Sequence, residues 1–340
     1  MALSKSIAIV GATGVVGQTL LKVLAERNFP LREVSLLASG RSAGKQYQFQ
    51  GEQLTVREAR AEAFAGVDIA FFCASGEVAR ALAPAAVAHG AVVIDNSSAF
   101  RLDDDVPLIV PEINAAAISG HRGIIANPNC STIIMAVALK PLYDAVGLKR
   151  VVVSTYQAVS GAGIEAVEEL KEQVLAFTEG RSVAAKILPT AAAKKHYQVA
   201  FNVIPQVDLF ADHGYTKEEW KMVHETQKIF GNETIAITVT TVRVPVMWCH
   251  SLSINVETHR PLSVPQAREL LGRSPGVVLL DDVDNQVYPM PIDFPDRDDV
   301  FVGRLRQDFS LPNAFNLWAV GNQLRKGAAS NAVQIAEILK

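Results

Sequence analysis

The feature that most constrains this chain is a glycine-rich turn set between its first strand and its first helix. Ser6-Ile7-Ala8-Ile9-Val10 reads as a short buried strand, and Gly11-Ala12-Thr13-Gly14-Val15-Val16-Gly17 follows at once. Glycines at this spacing permit a tight turn, close backbone approach to a pyrophosphate and close helix–strand packing. The phosphates would sit on the amides of the helix that follows. A bare G-x-x-G-x-x-G run is weak evidence; its position at a strand-to-helix junction is what gives it meaning.

The rest of the first half keeps that rhythm. A helix is expected over Val15–Glu26, strands over 33–38, 68–73 and 91–95, and a helix over 77–89. Alternation of this kind predicts an α/β fold with a Rossmann-type, doubly wound parallel sheet. Beyond Pro128 the texture changes. Strands are expected at 150–157, 234–246, 251–258, 299–307 and 316–320, with helices at 163–180 and 216–230. This predicts a second, α+β domain with a mixed sheet, and residues 281–298 read as an irregular surface excursion. The expected division is a dinucleotide-binding domain over 1–127, completed by a C-terminal helix over 323–340, and a catalytic and dimerisation domain over 128–322.

The end of the second strand bears on which dinucleotide binds. An NAD site usually places an acid there for the ribose hydroxyls. Here the chain reads Ala38-Ser39-Gly40-Arg41-Ser42, with a guanidinium and two hydroxyls and no acid, which favours the 2′-phosphate of NADP. Thr13, Gly14, Val15 and Val16 between Gly11 and Gly17, with Ser39, Arg41 and Ser42, are the candidate cofactor contacts.

Asn127-Pro128-Asn129-Cys130-Ser131-Thr132 carries one of only three cysteines. The strand 123–126 precedes it and an apolar-periodic helix runs on to Val146, so Cys130 falls at a helix N-terminus. The positive end of the helix dipole favours the thiolate there, as a nucleophile requires. Free cysteine is otherwise a common inert core residue. Cys73, Cys130 and Cys249 have neither metal-ligand spacing nor a disulfide pattern, so no metal is expected and a reducing cytoplasm fits. A net charge of −3 gives no case for nucleic acid, and no apolar run reaches membrane-spanning length. Downstream, Thr241-Val242-Arg243-Val244-Pro245-Val246 leads into Met247-Trp248-Cys249-His250-Ser251, which supplies a candidate base in His250 and a candidate anion-binding guanidinium in Arg243.

Taken together, Gly11–Gly17, Leu37–Gly44, Asn96–Arg101, Asn127–Thr132, Tyr156–Gly163, Lys217–Lys221, Val242–Ser251 and the Gly327-Ala328-Ala329 helix resemble the aspartate-semialdehyde dehydrogenase family, in order and over essentially the whole chain. The resemblance is to its shorter bacterial and archaeal branch. It implies NADPH-dependent, reversible reduction of L-aspartyl-4-phosphate to L-aspartate-4-semialdehyde with release of inorganic phosphate, in the biosynthesis of lysine, diaminopimelate, methionine and threonine. It implies Cys130 as the nucleophile that becomes a thioester, His250 as acid/base and Gln157 as the group that orients substrate. Arg243 would hold the α-carboxylate, Arg101 and Lys221 the phosphate, Glu218 (or its neighbour Glu219) the ammonium, and Asn129 would help position substrate. Ser160, Gly161 and Gln323 are implied near the nicotinamide. A homodimer or dimer of dimers is implied as well. N-acetyl-γ-glutamyl-phosphate reductase shares the architecture and thioester chemistry and is the nearest alternative; a catalytically silent interaction protein is another. Two departures from the family stand out. Cys249 precedes the histidine, where it would either fill space or pair with Cys130 on oxidation. Asn322 stands where relatives often carry Asp.

Overall fold

The computed structural model describes residues 4–339. Their contacts divide the chain into two compact units, residues 1–129 with 327–340, and residues 130–326.

In the first unit, β1 (Lys5–Val10), α1 (Val15–Glu26) and β2 (Leu31–Ala38) open the fold. A hairpin of β3 (Gln46–Phe49) and β4 (Glu52–Thr55) follows, then β5 (Arg57–Glu58), β6 (Ile69–Phe72), α2 (Gly76–Ala88), β7 (Val92–Asp95), α3 (Pro111–Asn114) and β8 (Ile124–Ala126). The sheet runs β5-β2-β1-β6-β7-β8, and every pairing in it is parallel. The strands are continuous apolar runs because both faces are covered; Ile69–Phe72 is buried throughout. Helix α1 exists because Leu20, Leu21, Val23 and Leu24 recur on one face, and all four are buried. The C-terminal helix, Ser330–Glu337, joins the same core through Ala332, Val333, Ile335 and Ala336. Burying a side chain such as Leu24 or Ile335 contributes about 1.5–3 kcal/mol, so the chain end is an integral part of the unit.

That helix starts later than the pattern predicts. Residues 323 and 324 precede it, and a π turn over Arg325–Ala329 leads into it. Asn322 Oδ1 accepts from the amides of Leu324 (2.8 Å) and Arg325 (3.1 Å), which ends the preceding strand and caps this turn. Gln323 therefore lies outside the helix, in the second unit.

The second unit is built on a mixed sheet, β10-β9-β11-β14-β13-β12. It contains α4 (Cys130–Val146), β9 (Leu148–Gln157), α5 (Ile164–Thr178), α6 (Lys217–Phe230), β10 (Ala236–Arg243), β11 (His250–Thr258), α7 (Val264–Gly272), β12 (Val277–Leu279), β13 (Val300–Gln307) and β14 (Ala314–Gly321). Helix α4 is apolar almost all round, with residues 131–139 buried without a break. It packs on β9, β11, β13 and β14 with α6 and α7 beside it. Gly321 makes this close approach feasible, since a Cβ there would come within 2.8 Å of Ile134 Cγ1. Strand β10 is shorter than the apolar run predicts, because Pro245 cannot donate to a ladder.

Candidate active site

The Gly11–Gly17 turn has two kinds of glycine. Gly11 has φ +82°, and a Cβ on it would stand 2.3 Å from the Cys73 carbonyl oxygen. A Cβ on Gly17 would stand 2.5 Å from the Gly11 carbonyl oxygen. Both are required by the protein's own packing. Gly14 is not, since its φ is −79° and its nearest neighbour would be the Gly11 carbonyl oxygen at 3.4 Å. Gly14 is the N-cap of α1, is exposed, and leaves the first amides of that helix without a side-chain cap. An exposed, uncapped helix start flanked by Thr13, Val15 and Val16 fits a pyrophosphate, and so fits the dinucleotide expected there. Past β2, Ser39 precedes a single 3-10 turn over Gly40–Ser42. Arg41 is exposed and has no carboxylate partner among the described residues, so its charge is free for an anion.

Arg101 is set by the loop after β7. Asp95 accepts from Ser97 N (3.0 Å) and Ser97 Oγ (2.7 Å), which ties the loop down. Burial pushes the Asp95 carboxyl up and the Ser97 hydrogen bonds pull it back. Arg101 then donates from Nε to the Asn127 carbonyl (2.9 Å) and from Nη2 to the Asn96 carbonyl (2.8 Å). Asn129, buried, ends the first of the two segments that make up this unit.

In the second unit, strand register assembles the remaining candidates. Parallel pairing of β10 with β9 sets Arg243 beside Gln157. Antiparallel pairing of β11 with β9 aligns Ser251 with Tyr156, so His250 falls one residue further, at the same edge. His250 in turn pairs with Gly321 of β14. One sheet edge therefore carries Arg243, Gln157 and His250 on adjacent strand ends.

The peptide groups of Ala158 hold two of them. Its amide donates to His250 Nδ1 (3.1 Å), and its carbonyl accepts from Arg243 Nη1 (2.6 Å). Because Nδ1 accepts, the neutral imidazole carries its proton on Nε2. Desolvation, and secondarily the Arg243 charge, push His250 down to about 3, so it is neutral. Arg243 is pushed down by burial, while the Glu218 carboxylate and Cys130 favour its charge. Gln157 donates from Nε2 to Ser131 Oγ in the first turn of α4 and to Glu218 Oε1 (3.1 Å). Glu218 Oε2 meets Lys221 Nζ at 3.2 Å, and Lys221 also pairs with Asp208 at 2.8 Å. Within this network Gln157 Oε1 and Arg243 Nε are buried with no hydrogen-bond partner.

Glu218 and Glu219 have different tasks. Glu219 closes a capping box with Thr216 and accepts from the Thr241 amide at 2.9 Å. Both of its oxygens are used by the backbone, which leaves Glu218 as the carboxylate of the site.

The cysteines separate as sharply. Desolvation, aided by the Asp95 and Asp296 charges respectively, pushes Cys73 and Cys249 up to about 12. Cys249 directs its thiol to the Phe294 carbonyl (3.4 Å). A thiol held in that state is slow to oxidise. Cys130 is half-exposed at the first position of α4. Cys249 has φ +65°, and its amide is held by Gln323 Oε1 at 3.0 Å. Gln323 Nε2 donates to Ser160 Oγ (2.5 Å), which donates to the Met247 carbonyl. Gln323 and Ser160 thus clamp the turn that ends at His250. Gly161 faces the site directly, since a Cβ there would lie 3.1 Å from Arg243 Nη1 and 3.2 Å from His250 Nε2.

The candidates fall into two sets. Gly11–Gly17, Ser39, Arg41, Ser42, Arg101 and Asn129 lie in the first unit; Cys130, Gln157, Ser160, Gly161, Glu218, Lys221, Arg243, His250 and Gln323 lie in the second. Ser131, Asp208 and the Ala158 peptide were not foreseen. Ser131 is signalled only by its place beside Cys130; backbone groups leave no trace in residue identity. Among the described residues no group of three or more His, Cys, Asp or Glu is placed to hold a metal, and no helix is long and apolar enough to cross a membrane.

Known proteins resemble this chain over nearly its whole length. Residues 6–121 match the family described as semialdehyde dehydrogenase, NAD binding domain, and residues 139–326 match semialdehyde dehydrogenase, dimerisation domain. Aspartate-semialdehyde dehydrogenase of Bacillus subtilis is 53% identical over 98% of this chain and 97% of its own. The crystal structure of aspartate semialdehyde dehydrogenase II from Vibrio cholerae, complexed with ASA, has a TM-score of 0.94 at 48% identity, covering 99% of this chain and 98% of that one. The Candida albicans aspartate semialdehyde dehydrogenase with NADP superposes with a TM-score of 0.76 at 26% identity, covering 99% of this chain and 98% of that one. With near-complete mutual coverage at about half identity, this chain belongs to the aspartate-semialdehyde dehydrogenase family.

Proposed function

We propose that this protein catalyses the NADPH-dependent, reversible conversion of L-aspartyl-4-phosphate and L-aspartate-4-semialdehyde, with Cys130 as the covalent nucleophile. The observation that carries the reading is the pair of buried, unpartnered polar atoms, Gln157 Oε1 and Arg243 Nε, beside the Glu218 carboxylate. A substrate bearing both a carboxylate and an ammonium satisfies all three groups.

The thiolate of Cys130 is favoured by the start of α4 and by the Arg243 charge. It attacks the acyl carbon; a C–S bond forms, the C–O bond to phosphate breaks, and phosphate leaves with the bonding pair. Arg101 and Lys221 are assigned to that phosphate, and Asn129 to positioning beside the nucleophile. NADPH, when bound through the Gly11–Gly17 turn, Ser39, Arg41 and Ser42, supplies a hydride to the thioester. His250 keeps its Nε2 proton directed at the reacting carbonyl oxygen and donates a hydrogen bond as negative charge grows there. Neutrality suits this task, because a neutral imidazole can polarise a carbonyl without giving up its proton. To accept a proton at Nε2 the ring would need the other tautomer, which points Nδ1–H at the Ala158 amide. In the reductive direction no base is needed, since collapse of the tetrahedral species expels Cys130 as thiolate.

Glu218 also weighs against the N-acetyl-γ-glutamyl-phosphate alternative. A buried carboxylate is stabilised by an ammonium and finds no charge in an acetylated amine. The second unit presents exposed Phe177 and Phe201, their rings tilted against each other with centroids 4.7 Å apart, which suits the homodimer implied by its family description. The free cysteines suit a cytoplasmic setting. Phosphate-dependent reduction of NADP and NAD, measured side by side with aspartate semialdehyde and with N-acetylglutamate semialdehyde, tests the whole reading. Turnover confined to the acetylated substrate, or independent of phosphate, refutes it.

A further inference from the structure

The tip of β2 lacks an acid, yet the fold brings one to it. Strand β5 pairs with β2 in parallel, so that Leu37 faces Arg57 and Ala38 faces Glu58. The Ala59 amide donates to the Ala38 carbonyl at 2.8 Å and closes this edge. Glu58 lies over the turn that carries Arg41, since a Cβ built on Gly40 would stand 3.3 Å from Glu58 Oε1. Gly40 has no left-handed φ, so the glycine there makes room for the carboxylate and relieves no backbone strain. The other oxygen, Oε2, accepts from Arg60 Nη2.

In dinucleotide folds the adenosine ribose sits outside the carboxyl end of the second strand. A carboxylate at that spot accepts hydrogen bonds from ribose hydroxyls and repels a 2′-phosphate. We propose that Glu58 and Arg60 form a second determinant of coenzyme choice, acting with Arg41. Glu58 taken alone favours a free ribose hydroxyl. Arg60 neutralises it and leaves Arg41 as the net charge facing the 2′ position. The pair then decides how strongly this site prefers NADP over NAD, and altering either partner moves the preference in opposite directions. The inference deepens the NADP assignment and rests on it.

Binding of adenosine 2′,5′-bisphosphate and adenosine 5′-monophosphate, measured by calorimetry on the full-length protein, tests this apart from turnover. The wild-type preference for the bisphosphate reads the coenzyme assignment itself; its absence refutes that assignment. The change in preference reads the present inference. Glu58→Gln should raise the bisphosphate preference by about fivefold, the scale of one like-charge contact near a surface. Arg60→Gln should lower it by about the same factor, and the double variant should return to within about twofold of wild type. Glu58→Gln without a change in preference, or Arg60→Gln weakening both nucleotides equally, overturns it. Both residues are largely exposed, so the variants should fold; a melting curve matching wild type establishes that for each.

Discussion

Gly161→Ala isolates the geometry of the site from the stability of the fold. The added methyl would lie 3.1 Å from Arg243 Nη1, 3.1 Å from His250 Cε1 and 3.2 Å from His250 Nε2. Ordinary carbon contacts begin a few tenths of an ångström further out, so something must give. Neither neighbour is free to yield, because both are tied to the one peptide of Ala158. Overpacking of this kind costs about 1–3 kcal/mol. Gly161 has no left-handed φ, so alanine also recovers about 0.4–1 kcal/mol from a less flexible unfolded chain. The net loss of stability should be about 1 kcal/mol, which a denaturant midpoint resolves. Activity should suffer far more. The methyl crowds His250 Nε2, the nitrogen proposed to donate to the reacting oxygen, and small misplacements of such groups cost on the order of 100-fold in rate. The measurement is kcat and KM for phosphate-dependent oxidation of aspartate semialdehyde, beside urea unfolding of the same preparation. Activity within threefold of wild type would show that Arg243 and His250 do not flank the reacting carbon.

The two adjacent glutamates should part company: Glu218→Gln should raise the substrate KM on the order of 100-fold, whereas Glu219→Gln should leave KM near wild type and cost about 1–2 kcal/mol of stability through the lost cap and the Thr241 bond. Urea midpoints and Michaelis constants on both variants check this, and the reverse pattern would reassign them. Asn322→Asp should destabilise by about 1–3 kcal/mol, since the donor to the Pro295 carbonyl becomes a second acceptor facing it; a denaturant midpoint equal to wild type would refute that contact. For pH, the folded state holds His250 neutral down to about 3 against an ordinary 6.5. Its contribution is therefore complete above pH 6.5 and is lost as pH falls from there toward 3, with a slope of up to about 1.4 kcal/mol per pH unit. The stability difference between wild type and His250→Gln should follow that slope, and parallel curves would show that His250 titrates normally.

How much of this was legible in the sequence depends on what each residue is fixed by. Cys130 could be placed because an apolar-periodic helix begins where a buried strand ends, and both signals are local. The glycine turn was legible for the same reason, although the difference between Gly11, forced by Cys73, and Gly14, left open to ligand, is tertiary. Arg243 and His250 were visible as candidates in one stretch of chain, yet only strand register sets Gln157 between them. Glu218 and Glu219 are indistinguishable as text; they separate because Thr216 caps α6 and draws the third residue of that helix back to the backbone. Ala158 was invisible, since any small residue would supply the same two peptide groups. Glu58 is not legible as an acid of this site because it lies 20 residues beyond Ala38, the end of β2, along the chain, and only the pairing of β5 brings it alongside.

The charges of the second-unit site explain why its polar groups tolerate burial. Arg243 and Lys221 are matched by Glu218 and Asp208, so the network carries no net charge before substrate arrives. Buried ions that lose a partner are costly, and buried ions that exchange one partner for another are not. Glu218 is the member through which exchange can run, because it holds Gln157 and Lys221 at once and also acts on Arg243. On the proposed assignment a substrate ammonium arriving at Glu218 would take the place of Lys221, and the carboxylate would keep a cation. On the same assignment Lys221 would keep Asp208 and gain the phosphate, while Arg243 Nε would gain the α-carboxylate. Each ion would then trade protein contacts for substrate contacts and end paired. An uncharged site of the same shape would have to desolvate the substrate's charges with nothing to offset the cost, and this is the physical reason for keeping four ionised side chains in so small a volume.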